Sequence, residues 1–154
     1  MYNLRFRYYG ANHFYTSNAL EGYANALVKA ERYEEAEQCL KEALRIKKEC
    51  LQEGNSWIGN SLKNLVKLYL EMGRWEQAVF FGEQALGVFY KNTKDNNRQI
   101  GDTKIYMAQA FQNMGNLQKA TQCAQEALAA FHAVSEAEYD VQRAELLIKE
   151  LEEN

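Results

Sequence analysis

Tyr33-Glu34-Glu35-Ala36-Glu37, followed after three residues by Lys41-Glu42-Ala43-Leu44, recurs in outline twice more along the chain. A shift of 42 residues places Ala36 on Ala78 and Ala120, Ala43 on Ala85 and Ala127, and Leu44 on Leu86 and Leu128. The same shift superposes Tyr33, Trp75 and Leu117; Ala24, Val66 and Ala108; Leu27, Tyr69 and Phe111; and Gly73 on Gly115. A fixed period of about 20 to 50 residues marks stacked structural repeats.

Within a unit the apolar spacing is helical. Leu62, Leu65, Val66 and Tyr69 form one stripe, and Ala78, Phe81, Ala85 and Leu86 form a second. Between them lies Met72-Gly73-Arg74-Trp75, whose glycine can take the left-handed conformation that ends a helix and lets the chain reverse. Each unit therefore reads as a helix-turn-helix hairpin, with small residues at Ala24, Ala36 and Ala43 letting the helix axes approach. First helices are predicted near 16–30, 57–72 and 99–114, and second helices near 34–52, 76–93 and 118–133. Val141, Ala144, Ile148 and Leu151 then mark an amphipathic helix whose other faces carry Glu145, Lys149, Glu150 and Glu152, which suits a solvating cap.

The resulting division is a single domain. Residues 1–15 form an extension or the end of a preceding unit, 16–56, 57–98 and 99–135 the three repeats, and 136–154 the capping helix. Tyr2, Leu4, Phe6, Tyr8 and Tyr9 crowd the start, where the shift places the end of a preceding second helix. Their alternation would also suit a short strand, but no partner strand is evident.

Composition agrees with an all-α domain. The 154 residues are 47% hydrophobic and include no proline. The balance of 18 basic against 21 acidic residues, net charge −3, argues against a nucleic-acid partner. No signal peptide and no run of about 18 apolar residues is present, so no membrane association and a cytoplasmic location are expected. Cys39, Cys50 and Cys123 with only His13 and His132 give no paired-ligand metal spacing, so neither metal nor cofactor is expected. Cys39 and Cys123 lie two periods apart, which favours packing over chemistry. Catalytic motifs are equally absent: there is no phosphate-cradling glycine loop, no HExxH and no serine elbow, and an enzyme is not expected.

The small residues on both helices and the aromatic at the turn, in Tyr33-Glu34-Glu35-Ala36-Glu37 and Lys41-Glu42-Ala43-Leu44, resemble the tetratricopeptide repeat over residues 16–133. The period of 42, longer than the usual value of about 34, resembles the kinesin light chain type. Gly10-Ala11-Asn12-His13 resembles that type's linker, with Phe14 where proline usually stands. Departures are Glu31 in place of Gly73 and Gly115, and Lys104 in place of Leu20 and Leu62. The resemblance implies a right-handed superhelical α-solenoid of three hairpins that binds a peptide or partner protein segment in the concave groove lined by the first helices.

Carried over position by position, the groove residues are Asn18, Glu21 and Asn25; Asn60, Lys63, Asn64 and Lys67; and Asp102, Tyr106, Gln109 and Asn113. The amides suit the donors and acceptors of an extended peptide backbone, and Lys63 with Lys67 suits an acidic residue in the ligand. Lys63, Asn64 and Lys67 are the first candidates. The family's clamp for a chaperone's C-terminal carboxylate is incomplete: Asn25 and Asn64 fit its asparagines, but Glu21, Asp102 and Tyr106 replace its basic residues.

A second surface carries Val79 and Phe80, on the outward side of the second unit's second helix, as a candidate subunit contact. The alternative function is accordingly a segment of a longer array, or a scaffold that self-associates through its apolar helix edges. Gly82, in the middle of that helix, is expected to make room for a bulky neighbour, with Trp57 the candidate.

Overall fold

The computed structural model describes residues 13–153, and the aromatic start of the chain, Tyr2 to Tyr9, lies outside the described residues. Seven α-helices follow one another: α1 Phe14–Lys29, α2 Tyr33–Cys50, α3 Ser56–Glu71, α4 Trp75–Phe89, α5 Thr93–Asn113, α6 Leu117–His132 and α7 Glu138–Glu152. The pairs α1/α2, α3/α4 and α5/α6 are the three hairpins, each second helix packs on the next hairpin, and α7 packs on α6. This is an all-α solenoid of helical hairpins.

Each hairpin reverses in the same way. The amide of Arg32 bonds the Leu27 carbonyl at 2.9 Å, that of Arg74 bonds Tyr69 at 2.8 Å, and that of Asn116 bonds Phe111 at 2.8 Å. Such a six-residue closure needs a left-handed residue just before its donor. Gly73 (φ 66°) and Gly115 (φ 74°) supply it, and Glu31 adopts the same conformation at φ 59°. Glutamate therefore changes the cost of the first turn, by about 1 kcal/mol, and leaves its geometry intact. Above the turns, Ala24, Ala36, Ala108 and Ala120 have no exposed surface and belong to one core.

At the open end of the hairpins a different contact sets the spacing. A Cβ on Gly59 would lie 2.4 Å from the Phe89 ring, and one on Gly101 would lie 2.4 Å from the Phe131 ring. Both rings are fully buried, seated on bare backbone of the facing helix. One period earlier the pair is Ser17 and Lys47, both with no exposed surface.

Three expectations need correction. The second unit's second helix ends at Phe89 rather than near residue 93, and α5 starts at Thr93 rather than near 99, with a 3-10 turn over Tyr90–Asn92 between them. Buried Asn96 explains the early start: it accepts from Ser56 Oγ at 2.9 Å and donates to the Phe89 carbonyl at 3.3 Å, fastening α5 to both helices of the preceding hairpin. Gly82 makes room for Met107, whose Cγ would stand 2.7 Å from an added Cβ, and not for Trp57. Helix α7 caps the last hairpin as expected, burying Ala144, Leu147 and Leu151, and it also exposes Tyr139 (76%) and Leu146 (62%).

The glycines give a paired prediction. Gly59→Ala should lower stability in urea denaturation by about 1–3 kcal/mol through overpacking against Phe89. Gly22→Ala, where nothing lies within 4 Å of the added carbon, should raise stability by up to about 1 kcal/mol through helix propensity.

Candidate functional site

The first helices α1, α3 and α5, extended by α7, are joined by polar contacts made one hairpin apart. Ser61 Oγ on α3 donates to Glu21 Oε1 on α1, and Lys63 Nζ on α3 reaches Asp102 Oδ2 on α5 at 3.3 Å. Arg143 on α7 closes on Asp102 Oδ1 at 2.8 Å. Arg98 on α5 pairs with Asp140 on α7 at 2.9 Å. Adjacent first helices thus stand side by side, as the inner wall of stacked hairpins does.

These ties decide which charges remain available. Glu21 accepts Lys47 Nζ at 2.7 Å as well as Ser61, so its carboxylate is neutralised from behind the wall. The Lys47 ammonium lies 5.8 Å from the Phe14 ring centre and 5.6 Å from that of Trp57, which shield it further. Asp102 is shared by Lys63 and Arg143, and the guanidinium of Arg143 sits 5.7 Å from the Phe131 ring. Burial raises the pKa of the half-buried Tyr106 phenol and the Asp102 carboxylate adds to it, against the pull of Arg143, so Tyr106 stays a neutral donor.

The candidate residues therefore fall into two groups. Glu21, Lys63 and Asp102 are half-buried and held in internal ion pairs. Asn25, Lys67, Gln109 and Asn113 are exposed, and Asn18, Asn60, Asn64 and Tyr106 are half-buried. Lys67 has no ion-pair partner among the described residues, whereas Lys63, its neighbour one turn earlier, is engaged by Asp102. Among the described residues Asn18 Oδ1 is buried with no hydrogen-bond partner, and Asn113 Nδ2 donates to the Gln109 carbonyl at 2.8 Å.

Sequence reasoning missed Lys47, Ser61 and Arg143, which set the charge of the wall. Lys47 had a signal: two periods of phenylalanine, Phe89 and Phe131, follow it at the same position. On the outer side, Phe80 is 57% exposed and meets Phe81 edge-on at 5.2 Å, while Val79 is half-buried against the core. Behind Phe81, Tyr69 donates to Glu37 at 2.8 Å. Burial works against the Glu37 charge, but the bonds from Lys41 and Tyr69, with Arg74 nearby, hold its pKa below the usual carboxylate range. Cys39, Cys50 and Cys123 form no disulfide among the described residues, and burial pushes the thiols of Cys39 and Cys123 up, away from the reactive thiolate. Among the described residues no group of three or more His, Cys, Asp or Glu could hold a metal ion, and no helix is long and apolar enough to cross a membrane.

Repeated hairpins with left-handed turns and small residues at the helix crossings define a class of helical repeat proteins. The tetratricopeptide repeat model matches residues 3–49 and 15–91, and the chain belongs to that family. The same fold occurs in the nearly identical TPR-like repeats of a putative kinesin light chain from Podosopora anserina, with a TM-score of 0.71, 18% identity, and 99% of this chain and 81% of that one covered. It occurs also in the N-terminal domain of stress-induced protein-1 (STI-1) from C. elegans, with a TM-score of 0.65, 22% identity, and coverage of 86% and 96%. The Sgt2 TPR domain from Aspergillus fumigatus matches with a TM-score of 0.61, 19% identity, and coverage of 90% and 82%. At these identities the likeness shows the fold. No curated protein matches the chain.

The buried pair of the first hairpin gives a prediction. Lys47→Met should cost about 3 kcal/mol in urea denaturation, because it strands the Glu21 carboxylate behind the wall. Adding Glu21→Gln should recover part of that loss. A loss in the double variant equal to the sum of the losses in Lys47→Met and Glu21→Gln alone would show that the two groups are not coupled.

Proposed function

We propose that the chain is a protein–protein interaction module that holds an extended segment of a partner protein along the wall formed by α1, α3 and α5. The observation that carries this reading is the separation of charge from amide along that wall. Glu21 is paired with Lys47, and Lys63 with Asp102, while Asn25, Asn64, Gln109 and Asn113 keep surface on three successive first helices. An amide offers both a donor and an acceptor, so a row of them matches a peptide backbone whatever its side chains. Among the described candidate residues of the wall Lys67 is the cation without an ion pair, and it selects a ligand with an acidic residue opposite α3.

This division also says why the wall would not take a terminal carboxylate as a two-ended clamp does. The cations Lys63 and Arg143 both serve Asp102, so anion capture rests on Lys67.

A second reading rests on Phe80, a large ring 57% exposed on the outer face of α4. An apolar group so placed suits self-association. Sedimentation across a concentration series separates the two readings: a dimer lost in Phe80→Ser supports self-association, and a monomer at every concentration removes it.

For the groove, a library of acidic and neutral peptides screened by fluorescence anisotropy should select acidic members. Lys67→Glu should weaken the selected peptide by about tenfold, which is about 1.4 kcal/mol. Asn64→Ala should weaken acidic and neutral peptides alike, and Phe80→Ser should change neither. Unchanged affinity in both groove variants would reject the assignment.

A further inference from the structure

At the junction of the first two hairpins, away from the polar row of the wall, lies a mostly apolar cleft of about 560 Å³. It opens between the end of α2, the start of α3 and the end of α4. Leu51, Ile58, Leu62 and Val88 form its walls, and Gly87 lies at its edge with nothing within 4 Å of the position a Cβ would take. Pockets that seat small ligands or side chains fall at about 300–1,000 Å³.

The next junction shows that the cleft is not a general property of the repeat. One period on, Leu62 becomes Lys104, Gln84 becomes Glu126 and Gly87 becomes Ala129. Lys104 and Glu126 form an ion pair there. Burial disfavours the Lys104 charge, but its bond to Glu126, with Tyr90 and Cys123 nearby, outweighs that and the pKa is raised. One period earlier than Gly87 stands Arg45, held by Glu42 at 2.7 Å and Glu49 at 2.5 Å. Compared with that next junction, the place at Gly87 lacks both the methyl group of Ala129 and an ion pair like that of Lys104 with Glu126.

The rim supplies a direction of charge. Lys91 lays its stem on Gly54, where an added Cβ would meet its Cδ at 2.7 Å, and its ammonium pairs with Glu53 at 2.7 Å. Lys48, on the opposite side, is exposed and has no ion-pair partner among the described residues. Two lysines against one glutamate leave the mouth positive, so an apolar group entering it is favoured when an anion accompanies it. We propose that this cleft is a second binding site, which takes a bulky apolar side chain of a partner protein together with a neighbouring carboxylate.

The test uses the full chain and a minimal probe of that chemistry, indole-3-propionate, followed by amide chemical shifts in NMR titration. Tryptamine, with the same ring and a cation, is the comparison. The expected result is saturable shifts at Leu51, Gly87 and Val88 with the acid, and weaker or no shifts with tryptamine. Gly87→Leu fills the cleft with a better helix former, so it should fold and lose the acid's binding. Lys48→Glu should weaken that binding by about threefold. The proposal is overturned by no binding, by equal binding of tryptamine, by unchanged binding to Gly87→Leu, or by shifts confined to Asn64 and Lys67. A wild-type dimer that Gly87→Leu dissociates would also overturn it, because the cleft would then belong to a second copy.

Discussion

A phenylalanine ring lying on the bare backbone of its partner helix sets the spacing on which the rest of the array depends. Alanines and a left-handed turn close each hairpin at one end, but helices with only that restraint could splay at the other. Phe89 on Gly59 and Phe131 on Gly101 close the open ends, each ring too near for any Cβ to stand between. Interiors packed to this density do not yield gradually, so the pitch of the second and third hairpins is fixed by two contacts per hairpin. That pitch in turn fixes how far apart the first helices stand, and hence which of their side chains can meet across the wall.

In the first hairpin the same position is polar, and the consequence reaches the wall directly. A flexible lysine does not need the bare backbone that a ring needs, so Ser17 stands where glycine stands elsewhere, and its hydroxyl donates to the Phe14 carbonyl at 2.6 Å. The Lys47 ammonium must then be paired, because an isolated charge with no exposed surface is expensive. Glu21 supplies the pair and Ser61 of the next hairpin completes it. The polar pair at this position thereby engages a carboxylate of the first-helix wall and fastens α1 to α3.

Much of this order was legible in the chain. The period of 42, the hairpin turns and the helical stripes came from residue types at fixed offsets, and local hydrogen bonding enforces them whatever the neighbours do. Even Glu31 fitted, because the turn closure at Leu27 and Arg32 outweighs the modest cost of a left-handed glutamate. What stayed hidden depends on distance between helices. The recurrence of Gly59 and Phe89 as Gly101 and Phe131 was visible, but a search for apolar stripes gives glycine no weight. Met107 against Gly82 is a contact between hairpins, set by their packing angle. Lys63 read as a free cation of the groove because its partner, Asp102, lies 39 residues away on another helix. Exposed Lys67, one turn further on the same helix, looks identical in sequence.

A repeat array separates two demands that an ordinary domain mixes. Positions that hold the pitch keep their size from unit to unit or change it in matched pairs: Ala36, Ala78 and Ala120 do not vary, and Ser17 with Lys47 stands in for glycine with phenylalanine. Positions that do not hold the pitch are free to diverge, and the divergence shows where the units differ in chemistry. Leu62 against Lys104, Gln84 against Glu126 and Gly87 against Arg45 or Ala129 are differences of this kind. None changes a helix boundary or a turn, since charge pairs, aliphatic walls and empty space can all be accommodated at the same axis separation. Such positions distinguish one array from another with the same backbone. In this chain the positions proposed to bind gather at the first junction and along α3, which would place its specificity in the second hairpin.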